Sequence, residues 1–119
     1  MAPVDLETRT TEFALRIIKL FSALPKTTEA QVLGKQLLRC GTSVGAHYRE
    51  AKRGKSNLDF ISKIEGALQE LDETCYWLEL IEKSGIIPAK RLASLRVESV
   101  ELTKILVTVV KRAKEKLKK

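Results

Sequence analysis

The chain has 119 residues, of which 44% are hydrophobic and 31% are charged, and its formal net charge is +7. This length fits one domain better than two, with enough apolar residues for a single core. The sequence contains no apolar run of the roughly 20 residues that cross a bilayer and no N-terminal signal peptide, so we expect a cytoplasmic protein. Two cysteines and one histidine exclude a disulfide scaffold and argue against a structural zinc site.

The predicted secondary structure is entirely helical. Leu, Ile, Val, Ala, Lys and Glu dominate over aromatic residues, which favours helices over a sheet. Apolar residues recur at steps of three and four in four segments, as they do on the buried face of an amphipathic helix. We therefore predict helices at about residues 10–24, 28–53, 57–84 and 88–117 of one domain spanning residues 1–119. Four helices with short connections are expected to form an all-α, antiparallel up-down-up-down bundle.

The ends of these helices carry recognisable signals. Thr27 or Thr28 is placed to cap the second helix, and Ser56 or Asn57 is placed to cap the third. The third helix is expected to end near Gly85, because glycine readily adopts the left-handed conformation that terminates a helix.

Three glycines, Gly34, Gly41 and Gly45, lie inside the second predicted helix. Each costs about 1 kcal/mol relative to alanine, so one interpretation is an interrupted helix. The favoured interpretation is close packing, because Gly41 and Gly45 lie one turn apart and would let a neighbouring helix approach.

Charge is segregated along the chain. Lys35–Lys55 contains six basic residues against Glu50, Asp59–Lys83 contains seven acidic residues against two lysines, and Lys104–Lys119 contains seven basic residues against Glu115. One interpretation is an ordinary solvated surface. A second is a phosphate-binding surface, and a third is contact between the acidic third helix of one copy and a basic helix of another. The last two are compatible. The final basic run also complements the negative end of a helix dipole.

An aromatic pair, Tyr76-Trp77, lies beside the core positions of the third helix. Trp77 with Leu80 and Ile81 would form a second apolar face. This face either widens the core or anchors a subunit interface, where tryptophan and tyrosine are enriched. We assign the interface candidates as Tyr76, Trp77, Leu80 and Ile81.

No constellation indicates catalysis. His47 and Cys40 are seven residues apart, about 10 Å along one helix, which is too far for a hydrogen bond. Glu70 and Glu73 lack the accompanying Glu-x-x-His motif of di-iron bundles. Gly54-Lys55-Ser56 lacks the upstream glycine of a phosphate-binding loop. We expect neither an enzyme nor a cofactor, metal or small-molecule substrate.

Several segments together resemble a known family. Leu24-Pro25-Lys26 followed by residues 39–46 (RCGTSVGA) is similar to the second-helix signature of bacterial four-helix bundle proteins, often called 23S ribosomal-RNA intervening-sequence proteins. Glu50, Lys55-Ser56 and Asp59-Phe60 resemble the following turn and helix start, and residues 70–80 (ELDETCYWLEL) resemble a third-helix signature. The sequence departs from the common pattern at Gly45, His47 and Ala51, where proline, asparagine and glycine are frequent.

The resemblance implies a bundle that assembles as a ring-shaped homopentamer. A related protein is the basic, pentameric accessory factor of diversity-generating retroelements, which binds nucleic acid and a reverse transcriptase. For most members of the family the biochemical role is not established.

We therefore predict a non-enzymatic, self-associating bundle that binds structured RNA or DNA through its basic surface. The alternative is a protein–protein scaffold whose basic patches are consumed by subunit contacts. The predicted phosphate contacts are Lys35, Arg39, Arg49, Lys52, Arg53 and Lys55. The predicted structural residues are Ser43 and Glu50, which organise the second helix and its interhelical contacts, Asp59 at the third helix start, and Phe60, which seats that start against the core.

Overall fold

Four α-helices account for most of the chain. The computed structural model describes residues 5–118 and contains α1 (Leu6–Ala23), α2 (Thr28–Lys52), α3 (Asn57–Lys83) and α4 (Ala89–Leu117). These described residues include no strand, so the prediction of an all-α bundle is confirmed. The bundle measures 52 × 29 × 21 Å. Residues 1–4 and Lys119, which the predicted domain includes, lie outside the described residues.

The first helix begins four residues earlier than the apolar spacing predicts. The Asp5 carboxylate accepts hydrogen bonds from the N–H of Thr8 at 3.1 Å and from its hydroxyl at 2.7 Å, and so caps the helix at Leu6. Thr10, the predicted start, is fully buried, and its hydroxyl donates to the Leu6 carbonyl at 2.7 Å. Apolar spacing does not predict this first turn, because three of its four residues are polar or charged.

The other three helices begin and end within one residue of the predicted bounds. The Thr27 hydroxyl caps α2 by accepting from the Ala30 N–H, and the Ser56 hydroxyl caps α3 by accepting from the Asp59 N–H at 3.0 Å. Gly85 follows α3 with φ of 78°, the left-handed conformation expected there.

The glycines of α2 lie in an uninterrupted helix and bring it close to α1. Gly41 faces Ile17, and a Cβ added there would lie 2.8 Å from Ile17 Cγ1. A Cβ added at Gly45 would lie 3.1 Å from Thr10 Oγ1. The close-packing interpretation is therefore confirmed, since side chains at these positions would push the two helices apart.

A glycine also allows the close approach of α2 to α3, and this one lies on α3. The ring of His47 lies over Gly66, where an added Cβ would be 3.1 Å from His47 Nδ1. Two turns away, the hydroxyl of Thr74 lies 3.2 Å from the Sγ of the fully buried Cys40. These small groups let α2 serve as the neighbour of both α1 and α3.

The contact between α1 and α4 is the smallest and includes polar pairs. Arg9 donates through Nε and Nη2 to both carboxylate oxygens of Glu98, each at 2.8 Å. Arg16 Nη2 donates to the hydroxyl of Ser94 at 2.9 Å. The hydrogen bond from Arg9 is the largest cause that lowers the pKa of Glu98 below its usual value.

One apolar core runs between the helices and draws on all four of them. Its largest fully buried side chains include Phe13, Ile17, Leu37, Ile64, Leu71, Leu78, Leu92, Leu102 and Leu106. Within residues 5–118, none of the helices combines the length and the apolar character that crossing a membrane requires.

Replacing Gly41 by alanine should lower the free energy of unfolding by about 1 kcal/mol. Alanine favours the helix by about 1 kcal/mol, but overpacking against the stiff, β-branched Ile17 costs about 1–3 kcal/mol. Urea unfolding of the variant checks this balance. Gly45→Ala is the matched control, because its nearest neighbour is a single hydroxyl, and it should be less destabilising. A Gly41→Ala protein more stable than the wild type would contradict the close α1–α2 contact.

Replacing Glu98 by glutamine should destabilise the protein by about 1 kcal/mol at neutral pH, because it removes a bidentate, charge-assisted contact. Since the folded pKa of Glu98 is lowered, the contact stabilises fully above the usual value of 4.5 and is lost as the pH falls through the folded pKa. The difference between wild type and variant should therefore disappear in acid. Glu101→Gln, which removes an exposed pair with Lys104, should change little. A Glu98 effect that stays constant as the pH is lowered would contradict the assignment.

Candidate nucleic-acid interface

Arg39 faces acidic residues of its own chain. Its guanidinium contacts Glu70 at 3.3 Å and Glu73 at 3.0 Å, both on α3. The charge of Glu70 is the largest cause of the raised pKa of Arg39. A phosphate approaching this guanidinium would also approach two carboxylates, so the local charge opposes the predicted phosphate contact.

Two further predicted contacts, Arg49 and Lys52, face α1. Arg49 Nη2 donates to the Thr11 hydroxyl at 3.1 Å, and Lys52 Nζ lies 3.5 Å from Glu7 Oε1. Lys52 Nζ also lies 5.9 Å from the centre of the Tyr48 ring. An exposed ion pair such as that of Lys52 contributes only about 0–1 kcal/mol. Arg49 makes no ion pair within residues 5–118, so both side chains remain available to rearrange towards another anion.

The remaining three predicted cations, Lys35, Arg53 and Lys55, are exposed, and none forms an ion pair within residues 5–118. Arg53 and Lys55 lie in the turn that joins α2 to α3. Lys35 lies more than four helical turns away along α2, so the six predicted residues do not form one continuous patch.

The structure adds cations from α4 to those of the α2–α3 turn. A groove between the start of α3 and the end of α4 is lined by residues of both, including Asn57, Phe60 and Arg112. Lys114 of α4 lies 3.1 Å from Glu65 of α3, and this ion pair also shows that the end of α4 packs beside the start of α3. We define the basic end of the bundle as the exposed cations of these two segments that make no ion pair within the described part of the chain: Arg53, Lys55, Lys111, Arg112, Lys116 and Lys118.

The cations of α4 were not assigned from sequence as phosphate contacts, because a basic run near the end of a helix also complements the negative end of the helix dipole. The basic run itself is evident in the sequence. Its final residue, Lys119, lies outside the described residues. Only the packing of α3 against α4 shows that the two basic segments share one end of the molecule.

The predicted interface residues on α3 differ in exposure. Tyr76 is 54% exposed, whereas Ile81 is completely buried in the core of its own chain. Ile81 is therefore corrected from an interface residue to a core residue, since it has no surface to offer a partner. Trp77 and Leu80 are half-buried, and the Trp77 ring lies 5.2 Å from the Tyr76 ring.

Trp77 is a partial member of the core. It packs against the core cluster, and its Nε1 is buried without a hydrogen-bond partner in the described structure. A second exposed apolar stripe, missed in the sequence analysis, lies on α4 at Val97, Val100 and Val107. Their spacing of three and seven residues is typical of one face of a helix. The leucines of the core give a stronger pattern in the same segment, so the valine face was not predicted.

The four predicted structural residues make local contacts. Ser43 donates to the Arg39 carbonyl at 2.6 Å within α2, and Glu50 lies 3.3 Å from Lys63 of α3. Asp59 accepts from the Lys55 N–H at 3.3 Å, which ties the turn to the first turn of α3. Phe60 packs against the core cluster beside this turn.

Cys40 and His47 both pack against α3, beside Thr74 and Gly66 respectively. Burial raises the pKa of the Cys40 thiol, which keeps it protonated near neutral pH. His47 Nδ1 is buried against Gly66 without a hydrogen-bond partner. No group of three or more His, Cys, Asp or Glu side chains within residues 5–118 is arranged to hold a metal ion.

Comparison with known proteins places the chain in a family. The model of the 23S rRNA-intervening sequence protein family matches residues 4–108. A crystal structure from Bacteroides thetaiotaomicron VPI-5482, described as a protein with unknown function from the S23 ribosomal protein family, is 40% identical in sequence with a TM-score of 0.83. The match covers 88% of this chain and 94% of that chain. A comparison with curated proteins gives no match. The chain belongs to the 23S rRNA-intervening sequence protein family, as its sequence signatures indicate.

Proposed function

We propose that this protein is a non-enzymatic, self-associating helical bundle that binds structured RNA through the phosphates of the RNA backbone. The observation that carries the proposal is the basic end, where exposed, unpaired cations from two segments distant in sequence lie at the same end of the bundle. Such cations displace counterions from RNA, which favours binding and makes it weaken as salt rises. The family description, which refers to ribosomal RNA, is consistent with this class of partner.

The phosphate contacts are revised from those predicted. Arg53 and Lys55 remain, and Lys111, Arg112, Lys116 and Lys118 join them. Arg49 and Lys52 lie near the same end and contribute long-range charge. Arg39 is left out because Glu70 and Glu73 offset its charge, and Lys35 is left out because it lies far along α2.

We also propose the antiparallel up-down-up-down arrangement. Support comes from contacts whose order reverses between neighbouring helices: Thr10 meets Gly45, whereas the later Ile17 meets the earlier Gly41. Self-association into a ring, with five copies as the family resemblance implies, is supported by exposed Tyr76 and by the half-buried Trp77 and Leu80 beside it. A surface that leaves a tyrosine next to an incompletely covered tryptophan has the composition of an interface.

The alternative function is a protein–protein scaffold without a nucleic-acid partner. Asp72 of α3 favours it, because this exposed carboxylate forms no ion pair within residues 5–118 and offers a partner for the basic end of another copy. The two functions differ in whether the cations of the basic end stay exposed in the assembly. In the scaffold, subunit contacts consume the cations that RNA would use.

Replacing Arg53 and Lys55 together by glutamine should weaken binding to a labelled RNA hairpin about tenfold near 0.1 M salt. It should also reduce the slope of log K against log salt by about 2, because two phosphate contacts are removed. Filter binding over a series of salt concentrations measures both quantities. The matched control is Lys90→Gln with Arg91→Gln, which removes two exposed cations at the start of α4. Wild-type binding that is absent at low salt, or independent of salt, would instead favour the scaffold.

Replacing Tyr76 by serine should reduce the molar mass of the assembly measured by light scattering, because it removes an exposed aromatic anchor without opening the core. Leu58→Ser is the matched control. Leu58 is 69% exposed at the other end of the same helix and should leave the assembly unchanged. A wild-type protein that remains at the 13.4 kDa of one chain at every concentration would remove the self-association proposal.

A further inference from the structure

The groove at the basic end has an apolar floor and a cationic rim. Its volume is about 340 Å³. Phe60, Val109 and Ala113 form the floor; each is half-buried and packs against the core. Arg112 and Lys116 are exposed at the rim, one helical turn apart on α4. The groove therefore presents an aromatic ring and two positive charges to one ligand.

The rim cations are open to an incoming anion. Neither Arg112 nor Lys116 forms an ion pair within residues 5–118, whereas Lys114 between them in sequence is paired with Glu65 at 3.1 Å. No carboxylate is among the residues that line the groove. Asp59, an acidic residue of the first turn of α3, has an oxygen 3.3 Å from the Lys55 N–H, which turns it towards the α2–α3 turn.

A ligand that fits this groove must contact both its apolar floor and its cationic rim. Inorganic phosphate would use the rim but leave the apolar floor in water, and a neutral apolar segment would use the floor but leave the cations unpaired. An unpaired nucleotide uses both, because its base stacks on an aromatic ring and its phosphate meets the cations. The volume lies at the lower end of the about 300–1,000 Å³ of small-molecule pockets, which suits a single nucleotide.

We propose that this groove is a site for one unpaired nucleotide of RNA, with the base against Phe60 and its phosphate held by Arg112 and Lys116. The exposed side-chain amide of Asn57, at the groove edge, supplies a donor and an acceptor for the edge of the base. This proposal rests on the proposed RNA-binding function and adds to it. The basic end then prefers RNA that combines a duplex with an unpaired base, such as a bulge or a loop.

The test compares a labelled oligouridylate ten-mer with an RNA duplex that carries no unpaired base. Phe60→Leu should weaken oligouridylate binding about tenfold, because it removes the aromatic ring on which a base stacks, and should leave duplex binding within about twofold. Phe60→Tyr should retain the oligouridylate affinity. The matched control is Phe21→Leu, which removes another half-buried phenylalanine, next to Gly34 between α1 and α2; it should change neither affinity.

A second variant keeps the test decisive if Phe60→Leu fails to fold. Ala113→Leu fills the groove without altering its charge or its aromatic ring, and leucine is well tolerated in a helix. It should weaken oligouridylate binding and spare the duplex. Circular dichroism melting establishes that each variant is folded.

The outcomes separate this proposal from the proposed function. Wild-type protein that binds neither RNA overturns both. Salt-dependent duplex binding with oligouridylate affinity unchanged in Phe60→Leu and Ala113→Leu overturns the nucleotide site alone. A polyglutamate peptide that binds as tightly as oligouridylate and is weakened by the same variants would assign the groove to an acidic protein partner, and would also overturn it.

Discussion

The close approach of α2 to both of its neighbours depends on positions that lack a side chain. Gly41 admits Ile17 of α1, and Gly66 admits the ring of His47 from α2. Glycine in a helix costs about 1 kcal/mol relative to alanine, so this geometry is maintained against the local preference of the chain. The compensation is the burial of side chains such as Ile17 and Leu37, which have no exposed surface.

These contacts fix the relative positions of the helices along the bundle, and those positions determine where the exposed basic residues lie. With His47 over Gly66, the end of α2 and the start of α3 form one end of the bundle, and the Lys114–Glu65 pair brings the end of α4 to the same place. The acidic side chains of α3 take up part of the positive charge along the length of the bundle, as Glu70 and Glu73 do for Arg39. The cations of the basic end make no ion pair among the described residues, and their common location follows from the packing of the helices, so the core packing and the proposed RNA site are parts of one arrangement.

The spacing of apolar residues was sufficient to predict four helices, because leucine periodicity, the Ser56 cap and Gly85 are signals that depend only on the local sequence. It missed the start of α1, where Asp5 rather than an apolar residue sets the boundary. For the candidate site, the run of basic residues in the sequence was sufficient to predict Arg53 and Lys55. It did not show that Arg112 lies at the same end of the bundle, because that depends on the packing of α3 against α4. The same limit misplaced Ile81, since periodicity alone does not separate the edge of a core from an interface.

We propose that one packing register joins the α2–α3 turn and the end of α4 into a single RNA-binding surface. Nuclear magnetic resonance of backbone amides, titrated with an RNA hairpin carrying one bulged uridine, tests it most directly. We expect the signals of residues 53–60 and 109–116 to shift together with one midpoint, while those of residues 89–94 stay in place. Shifts confined to one of the two basic segments, or spread equally over the start of α4, would contradict it.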